Sequence, residues 1–262
     1  MDFLKAFGWF CLFLPLLVQA QTLTPVLALA VSAENTQLAT GTLDGLLRVR
    51  DLATGEELYR QLLQGHEGIA TLEFENLDSI LIEARDGSFW RWRVSSGRLQ
   101  SATARETTER KKEVLSPNKT LTARLDQNGL LRVIELVSGK LVAESAVGEA
   151  RTMIWTAFGI LLLYDQALVL RTTRLEKLWS LSLPSRPSAA AVQGVNWAVA
   201  LFDGQILAGE SDGQSTVIWK AHSSAINAVA WADDHRLVTA GADSIVSIWS
   251  YPGAKVLGKV LP

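Results

Sequence analysis

The 262-residue chain has one cysteine, Cys11, which lies in the apolar N-terminal segment. A mature chain without that segment would have none. Disulfides, thiol redox chemistry, cysteine-ligated zinc and covalent c-type haem would then be excluded. A secreted eukaryotic domain would more often carry disulfides, so a cysteine-free exported chain fits the bacterial periplasm better.

The chain has no large excess of positive or negative charge, and it has few residues arranged as catalytic motifs. The chain has 25 Lys and Arg against 27 Asp and Glu, and no basic patch predicts a nucleic-acid partner. It has no glycine-rich phosphate loop, nucleophile elbow or zinc motif. Asp233-Asp234-His235 comes nearest to a metal-binding cluster, but three consecutive turn residues rarely converge on one ion. We therefore predict no catalytic residue, no metal and no cofactor.

The first twenty residues have the order of a secretory signal peptide. Lys5 precedes the apolar run Ala6–Val18, and Val18 and Ala20 supply small residues at the −3 and −1 positions before Gln21. We predict cleavage after Ala20 and a periplasmic or secreted protein that meets membranes only through a partner. Retention as a membrane anchor is the alternative, although the run is short for a span.

An aspartate recurs through the chain at intervals of 42, 40, 39, 38 and 40 residues. Each follows a strand-like segment and begins a tight turn, and the flanking apolar residues alternate by two rather than at helical spacing. The six positions are Asp44, Asp86, Asp126, Asp165, Asp203 and Asp243. Four short strands per period of about forty are typical of β-propeller blades. We predict an all-β fold with six blades, at about 25–62, 66–102, 112–145, 150–183, 187–219 and 224–261.

The repeats resemble those of the WD40 family. Residues 50–75 read RDLATGEELYRQLLQGHEGIATLEFE and contain the Gly-His pair at Gly65-His66. Residues 114–123, VLSPNKTLTA, are similar to the family's Ser-Pro-Asp-Gly turn. The sixth repeat, with LVTAGADSIVSIWS at 237–250, is the most complete.

The resemblance implies a buried structural network within single blades. In blade six it assigns His222, Thr239, Asp243 and Trp249 to hydrogen bonds that join neighbouring strands. In blade two it keeps His66, Asp86 and Trp92, but Ile82 stands where the hydroxyl should be. The likeness of the His–Asp pair to a hydrolytic triad is superficial on this interpretation.

The predicted blades fill residues 21–262 as a single propeller domain. WD40 propellers more often have seven blades, and one blade usually shares strands from both termini. Here the chain opens on a first strand and closes on a last one, so that interlock is expected to be missing. Seven blades, or closure by a short strand at residues 21–24, are the alternatives.

The residue before each turn aspartate is expected to lie on one face of the disc. The matching position in WD40 proteins often belongs to the partner-binding surface. The candidates are Leu43, Arg85, Leu125, Tyr164, Phe202 and Ala242. Aromatic residues and Arg are enriched at binding hot spots. The alternative is that Tyr164 and Phe202 pack between blades.

These observations predict a non-enzymatic protein-binding scaffold of the bacterial cell envelope. It would be a subunit or accessory of a larger complex, such as a redox complex, an outer-membrane assembly machine or a surface structure. The alternative is a small propeller enzyme that uses the central channel, either a hydrolase or a quinoprotein. The segment DLATGEELY at 51–59 resembles the Asp…Thr-Gly…Trp motif of quinoprotein dehydrogenases, with Tyr for Trp.

Overall fold

The computed structural model describes residues 24–65, 68–102 and 113–260, which form 24 β-strands. The strands make six four-stranded antiparallel sheets, each from four consecutive strands paired in chain order. The predicted all-β, six-bladed fold is therefore confirmed. The predicted signal peptide (residues 1–20) and His66 lie outside the described residues.

The first three blades follow one another along the chain. Blade one comprises β1 (Val26–Val31), β2 (Gln37–Thr42), β3 (Leu46–Asp51) and β4 (Glu57–Leu62). Blade two comprises β5 (Ile69–Asn76), β6 (Ser79–Ala84), β7 (Phe89–Arg93) and β8 (Arg98–Ala102). Blade three comprises β9 (Glu113–Leu115), β10 (Leu121–Leu125), β11 (Leu130–Glu135) and β12 (Leu141–Ala146).

The other three blades repeat the pattern, and all six lie within the predicted blade limits to a residue or so. Blade four comprises β13 (Thr152–Thr156), β14 (Gly159–Leu163), β15 (Ala167–Arg171) and β16 (Lys177–Ser182). Blade five comprises β17 (Pro187–Gln193), β18 (Asn196–Leu201), β19 (Gln205–Glu210) and β20 (Thr216–Lys220). Blade six comprises β21 (Ile226–Asp233), β22 (Arg236–Gly241), β23 (Val246–Ser250) and β24 (Val256–Val260).

In every blade but the third, the second strand is almost entirely buried, whereas β10 of blade three includes the exposed Arg124. All residues of β14 (GILLL) and β18 (NWAVAL) are buried. Strands covered on both sides read as continuous apolar runs, because neither face meets water. The outermost strand β12 instead shows mostly exposed and half-buried residues in alternation, as expected for a strand with one open face.

Five apolar clusters join neighbouring blades around the ring. They link blades one and two, three and four, four and five, five and six, and six and one. The last of these closes the ring between the two ends of the chain, with Val26 and Leu38 of blade one packed with Val238 and Val246 of blade six. Asn227 Nδ2 also donates to the carbonyl of Val26 at 2.8 Å. Within the described ranges, closure therefore rests on packing and not on a shared strand.

The junction between blades two and three has a different chemistry. In blade two, Ile80 and Ile82 pack in the cluster shared with blade one. Residues of opposite parity in a strand point to the opposite face, so the face toward blade three carries Glu75 and Arg91. These two form an ion pair at 2.7 Å.

Blade three presents a matching polar face. Leu131 and Val133 pack in the cluster shared with blade four, so Arg132 between them faces blade two. Arg132 pairs with Glu144 at 2.6 Å. Among the described residues, this junction therefore carries ion pairs beside the buried Leu81 and Phe89, and it has no apolar cluster like those of the other five junctions.

Successive connections alternate between the two ends of the strands and so define two faces. The upper face carries the turns between second and third strands and the links between blades. The lower face carries the turns between first and second and between third and fourth strands. On the upper face, the residue after the second strand donates its N–H to the carbonyl of the residue before the first strand. This occurs at Leu43 (to Pro25, 3.0 Å), Arg85 (to Gly68, 2.9 Å), Phe202 (to Arg186, 2.9 Å) and Ala242 (to Ala225, 2.8 Å).

Candidate docking site

The four residues assigned to a network in blade six are hydrogen bonded to one another. His222 Nδ1 lies 2.9 Å from Asp243 Oδ1, and its Nε2 lies 2.7 Å from Thr239 Oγ1. Trp249 Nε1 donates to Thr239 Oγ1 at 2.9 Å. An ionised carboxylate only accepts, which assigns the proton of neutral His222 to Nδ1 and leaves Nε2 to accept from the Thr239 hydroxyl.

This network is closed and buried. His222 and Thr239 are almost fully enclosed, and every proton on the polar atoms just described has an acceptor. Burial would raise the pKa of Asp243, but the bonds from His222 and from the N–H groups of Ser223 and Ile245 outweigh it and hold the pKa below its usual value. The hydrogen bonds join β22 and β23 of blade six to the link that comes from blade five. The Thr239 hydroxyl has no contact with solvent.

Blades one and two carry only parts of the same pattern. Trp92 is buried, and its indole N–H has no hydrogen-bond acceptor among the described residues. Its counterpart to Thr239 is Ile82, which offers no acceptor. In blade one, the buried Thr40 stands at the Thr239 position, but no described residue bonds its hydroxyl. Asp86 accepts from the N–H and hydroxyl of Ser88 in its own turn.

The candidate binding residues lie at equivalent places on the upper face but differ in exposure. Phe202 is 49% exposed and Leu43 is 38% exposed. Arg85 and Ala242 are exposed, and Leu125 is half-buried. Tyr164 is half-buried against the cluster between blades three and four, and its hydroxyl donates to the carbonyl of Val147 at 2.8 Å. Burial raises the pKa of Tyr164.

These positions separate the two aromatic residues that the sequence analysis placed on one binding face. Tyr164 fills the junction between its blade and the preceding one, while Phe202 presents a large apolar surface to solvent. Among the apolar candidates, Phe202 of blade five therefore offers the most exposed large side chain.

One arginine that sequence reasoning missed lies beside Phe202, and a second is connected to it through a shared carboxylate. The guanidinium of Arg186 lies over the Phe202 ring, 5.5 Å from its centroid. Arg186 Nε is also 3.8 Å from Asp165 Oδ1, and the same carboxylate oxygen accepts a hydrogen bond from Arg151 Nε. A signal for Arg186 exists in the sequence, because it directly precedes the first strand of blade five. At that position the backbone carbonyl accepts a hydrogen bond from the N–H of the residue that precedes the turn aspartate, here Phe202.

A cavity of about 450 Å³ opens on the same face between blades three and four. Its walls come from the turn after β10 and the link before β13, and they include Asp126, Glu149 and Arg151. The two segments approach so closely at Gly129 that a side chain there would meet the backbone of Gly148 at 2.7 Å. Arg151 lies both in this wall and in the ion pair with Asp165, so the cavity adjoins the Arg186–Phe202 group.

The described ranges lack a metal-binding cluster and a helix that could cross a membrane. No cluster of three or more His, Cys, Asp and Glu side chains there could hold a metal ion. Asp233 instead accepts from the N–H of His235 and from Arg236 within its own turn. The same ranges contain no helix with the length and apolarity to cross a membrane.

Comparisons with known proteins agree with this geometry. Residues 213–250 match the family model described as WD domain, G-beta repeat. That segment runs from the last turn of blade five to the end of β23 and contains the whole hydrogen-bonded network. No curated protein matches the chain significantly.

Among solved structures, the chain is similar to the β-propeller domain of Cps50 (Swd1) from Myceliophteria thermophila. The TM-score is 0.62 at 10% identity, over 89% of this chain and 95% of that one. At this identity the likeness shows the fold. The chain thus folds as a WD40-type propeller and contains one repeat that the family model matches.

Proposed function

We propose that this protein is a non-enzymatic module that binds other proteins on its upper face. The observation that carries the proposal is the half-exposed Phe202 ring beneath the Arg186 guanidinium. Aromatic and Arg side chains dominate binding hot spots, and here they project from a rigid scaffold of packed blades. A backbone hydrogen bond from the Phe202 N–H to the Arg186 carbonyl holds the two residues side by side.

The closed network in blade six supports this function over a hydrolase. A nucleophilic hydroxyl must reach a substrate, whereas the Thr239 hydroxyl is fully buried and bonded to the imidazole and the indole. The Thr-Gly pair that resembles a quinoprotein motif also has a local role. Thr54 donates its N–H and hydroxyl to Asp51 at 2.8 and 3.0 Å, which closes the turn between β3 and β4.

The proposed setting is the bacterial cell envelope, where the mature chain would be part of a larger periplasmic or membrane-associated complex. Support comes from the Lys5, apolar and small-residue order of the first twenty residues and from the absence of cysteine after Gln21. In this proposal the domain is a single propeller from residue 21 to residue 262, and it reaches the membrane through its partners.

Phe202→Asp tests the docking surface, with Phe158→Asp as its matched control. Both rings are about half exposed, at 49% and 54%, but Phe158 lies in the β13–β14 turn on the lower face. Tyr164 is left unchanged because it joins two blades. Crosslinking and affinity purification from native envelope extract, with quantitative mass spectrometry, should show partners lost only with Phe202→Asp. An unchanged partner set with Phe202→Asp, or losses only with Phe158→Asp, would place the binding surface elsewhere.

A further inference from the structure

Arg186 is an exposed cation that forms a long ion pair with a neighbouring carboxylate, that of Asp165. Its side chain is 61% exposed and that of Asp165 is 65% exposed. Asp165 is the carboxylate that the described residues place within 4 Å of Arg186, but it already accepts from Arg151. Exposed ion pairs contribute little to stability, so a carboxylate from a partner can take this place at small cost to the fold.

The charges around Phe202 favour an acidic occupant. The upper face of blades four and five carries Arg151, Arg186 and Lys220 against Glu149, Asp165 and Asp203. Lys220 Nζ donates to the carbonyl of Asp203, so its cation lies beside the turn that holds Phe202. The Asp203 carboxylate accepts from the N–H of Gln205 within that turn. Arg151 and Arg186 share the single carboxylate of Asp165, so this ion-paired group carries one more positive than negative charge, although the whole chain has a net charge of −2.

Apolar surface completes the group. The Phe202 ring has one side beneath the guanidinium, and about half of the residue is open to solvent. A large apolar side chain of a partner could pack on that open part and exclude water. Exclusion of water strengthens a nearby charge pair, because the effective dielectric constant falls.

We infer that the occupant of this surface is a protein segment that carries a carboxylate close in sequence to a large apolar side chain. The carboxylate pairs with the Arg186 guanidinium, and the apolar side chain packs on Phe202. This inference rests on the proposed function and adds the chemistry of the partner to it.

The test is a selection from a phage-displayed random dodecapeptide library on the purified protein. The selection is run in parallel on the wild type, on Arg186→Glu and on Arg174→Glu. Arg174 lies in the exposed β15–β16 turn on the lower face, so it is a charge reversal matched to the first but placed away from the site. Enriched sequences are synthesised, and their affinities for each protein and for Phe202→Ala are measured by fluorescence polarisation.

Peptides selected on the wild type should carry Asp or Glu within two positions of Phe, Trp or Leu. They should lose more than about tenfold in affinity on Arg186→Glu, because like charges brought together at an interface are strongly unfavourable. Arg174→Glu should leave their affinity unchanged, and Phe202→Ala should weaken it. Selection on Arg186→Glu should instead enrich Lys and Arg.

Two results would overturn the inference. One is a wild-type selection without enrichment of acidic–apolar sequences. The other is a set of acidic peptides that bind the wild type and Arg186→Glu equally. If the selected peptides still depend on Phe202, the proposed docking function stands and only the partner chemistry is wrong. If they bind regardless of Phe202, both fail.

Discussion

The hydroxyl of Thr239 has a natural control within the same chain. Thr239 is the fourth residue of β22, and Thr40 is the fourth residue of β2. Both are buried. The Thr239 hydroxyl bonds both His222 and Trp249, whereas no described residue bonds the Thr40 hydroxyl. The same substitution, Thr→Val, therefore removes two hydrogen bonds in one blade and none that the structure describes in the other.

The two substitutions should differ in sign. Thr239→Val leaves the Trp249 indole N–H and the His222 Nε2 buried without partners. Each unsatisfied group costs about 1–3 kcal/mol, so a total loss of about 2–6 kcal/mol in unfolding free energy is expected. Thr40→Val replaces a buried hydroxyl, to which no described residue is bonded, by a methyl group of similar size. It should be neutral or stabilise by about 1 kcal/mol.

Urea denaturation followed by far-ultraviolet circular dichroism measures both effects. The slope of free energy against urea should stay constant, so that the shift in midpoint reports the change in stability. Equal costs for the two variants would show that the hydroxyl at this position acts only through its volume. The His222–Thr239–Trp249 bonds would then have no energetic weight, and the structural role assigned to them would be wrong.

Three further predictions concern other parts of the molecule. Asp243→Ala should lower the free energy of unfolding by about 1–3 kcal/mol because it removes a largely buried charged acceptor. Asp165→Ala removes a carboxylate from an exposed ion pair and should lower it by at most about 1 kcal/mol. The urea midpoints of the two variants measure this difference. The Asp243 pKa is lowered in the folded state, so its contribution is present above the unfolded pKa and is lost as the pH falls through the folded pKa. A stability gap that persists unchanged in acid would contradict this. Protein from the native envelope should have the intact mass of a chain that begins at Gln21, and a mass that retains residues 1–20 would exclude cleavage. Added salt should accelerate hydrogen exchange more in β5–β7 and β9–β11 than in β21–β23, because salt screens the ion pairs at the junction between blades two and three. An equal effect of salt on the exchange rates of both groups of strands would contradict the polar junction.

The fold was predictable because one local device recurs. An Asp can bond the N–H groups that follow it, and this marks the same turn in each blade. Asp86, Asp126 and Asp203 do so in the structure by accepting from N–H groups two residues later. The spacing of these turns then gives the blade number and limits, since the four strands of each blade are joined by short connections.

The candidate site was only partly predictable, because it depends on contacts across strands and blades. The position of Phe202 on the upper face follows from the turn pattern. The position of Arg186 above its ring does not, since it needs the pairing of the start of β17 with the end of β18. The half-buried state of Tyr164 likewise depends on the carbonyl of Val147, which belongs to the link between blades three and four.

The distribution of apolar and polar junctions follows from where the chain itself holds the ring together. Blades six and one are the neighbours with no covalent link between them, and their junction has an apolar cluster and the Asn227–Val26 bond. Blades two and three are joined by the chain through residues 103–112, whose sequence TARETTERKK contains no large apolar residue. A link of this length keeps its ends together at small entropic cost, so a polar junction is tolerated there. The described residues thus close the ring through strong packing at the one junction where the chain provides no link.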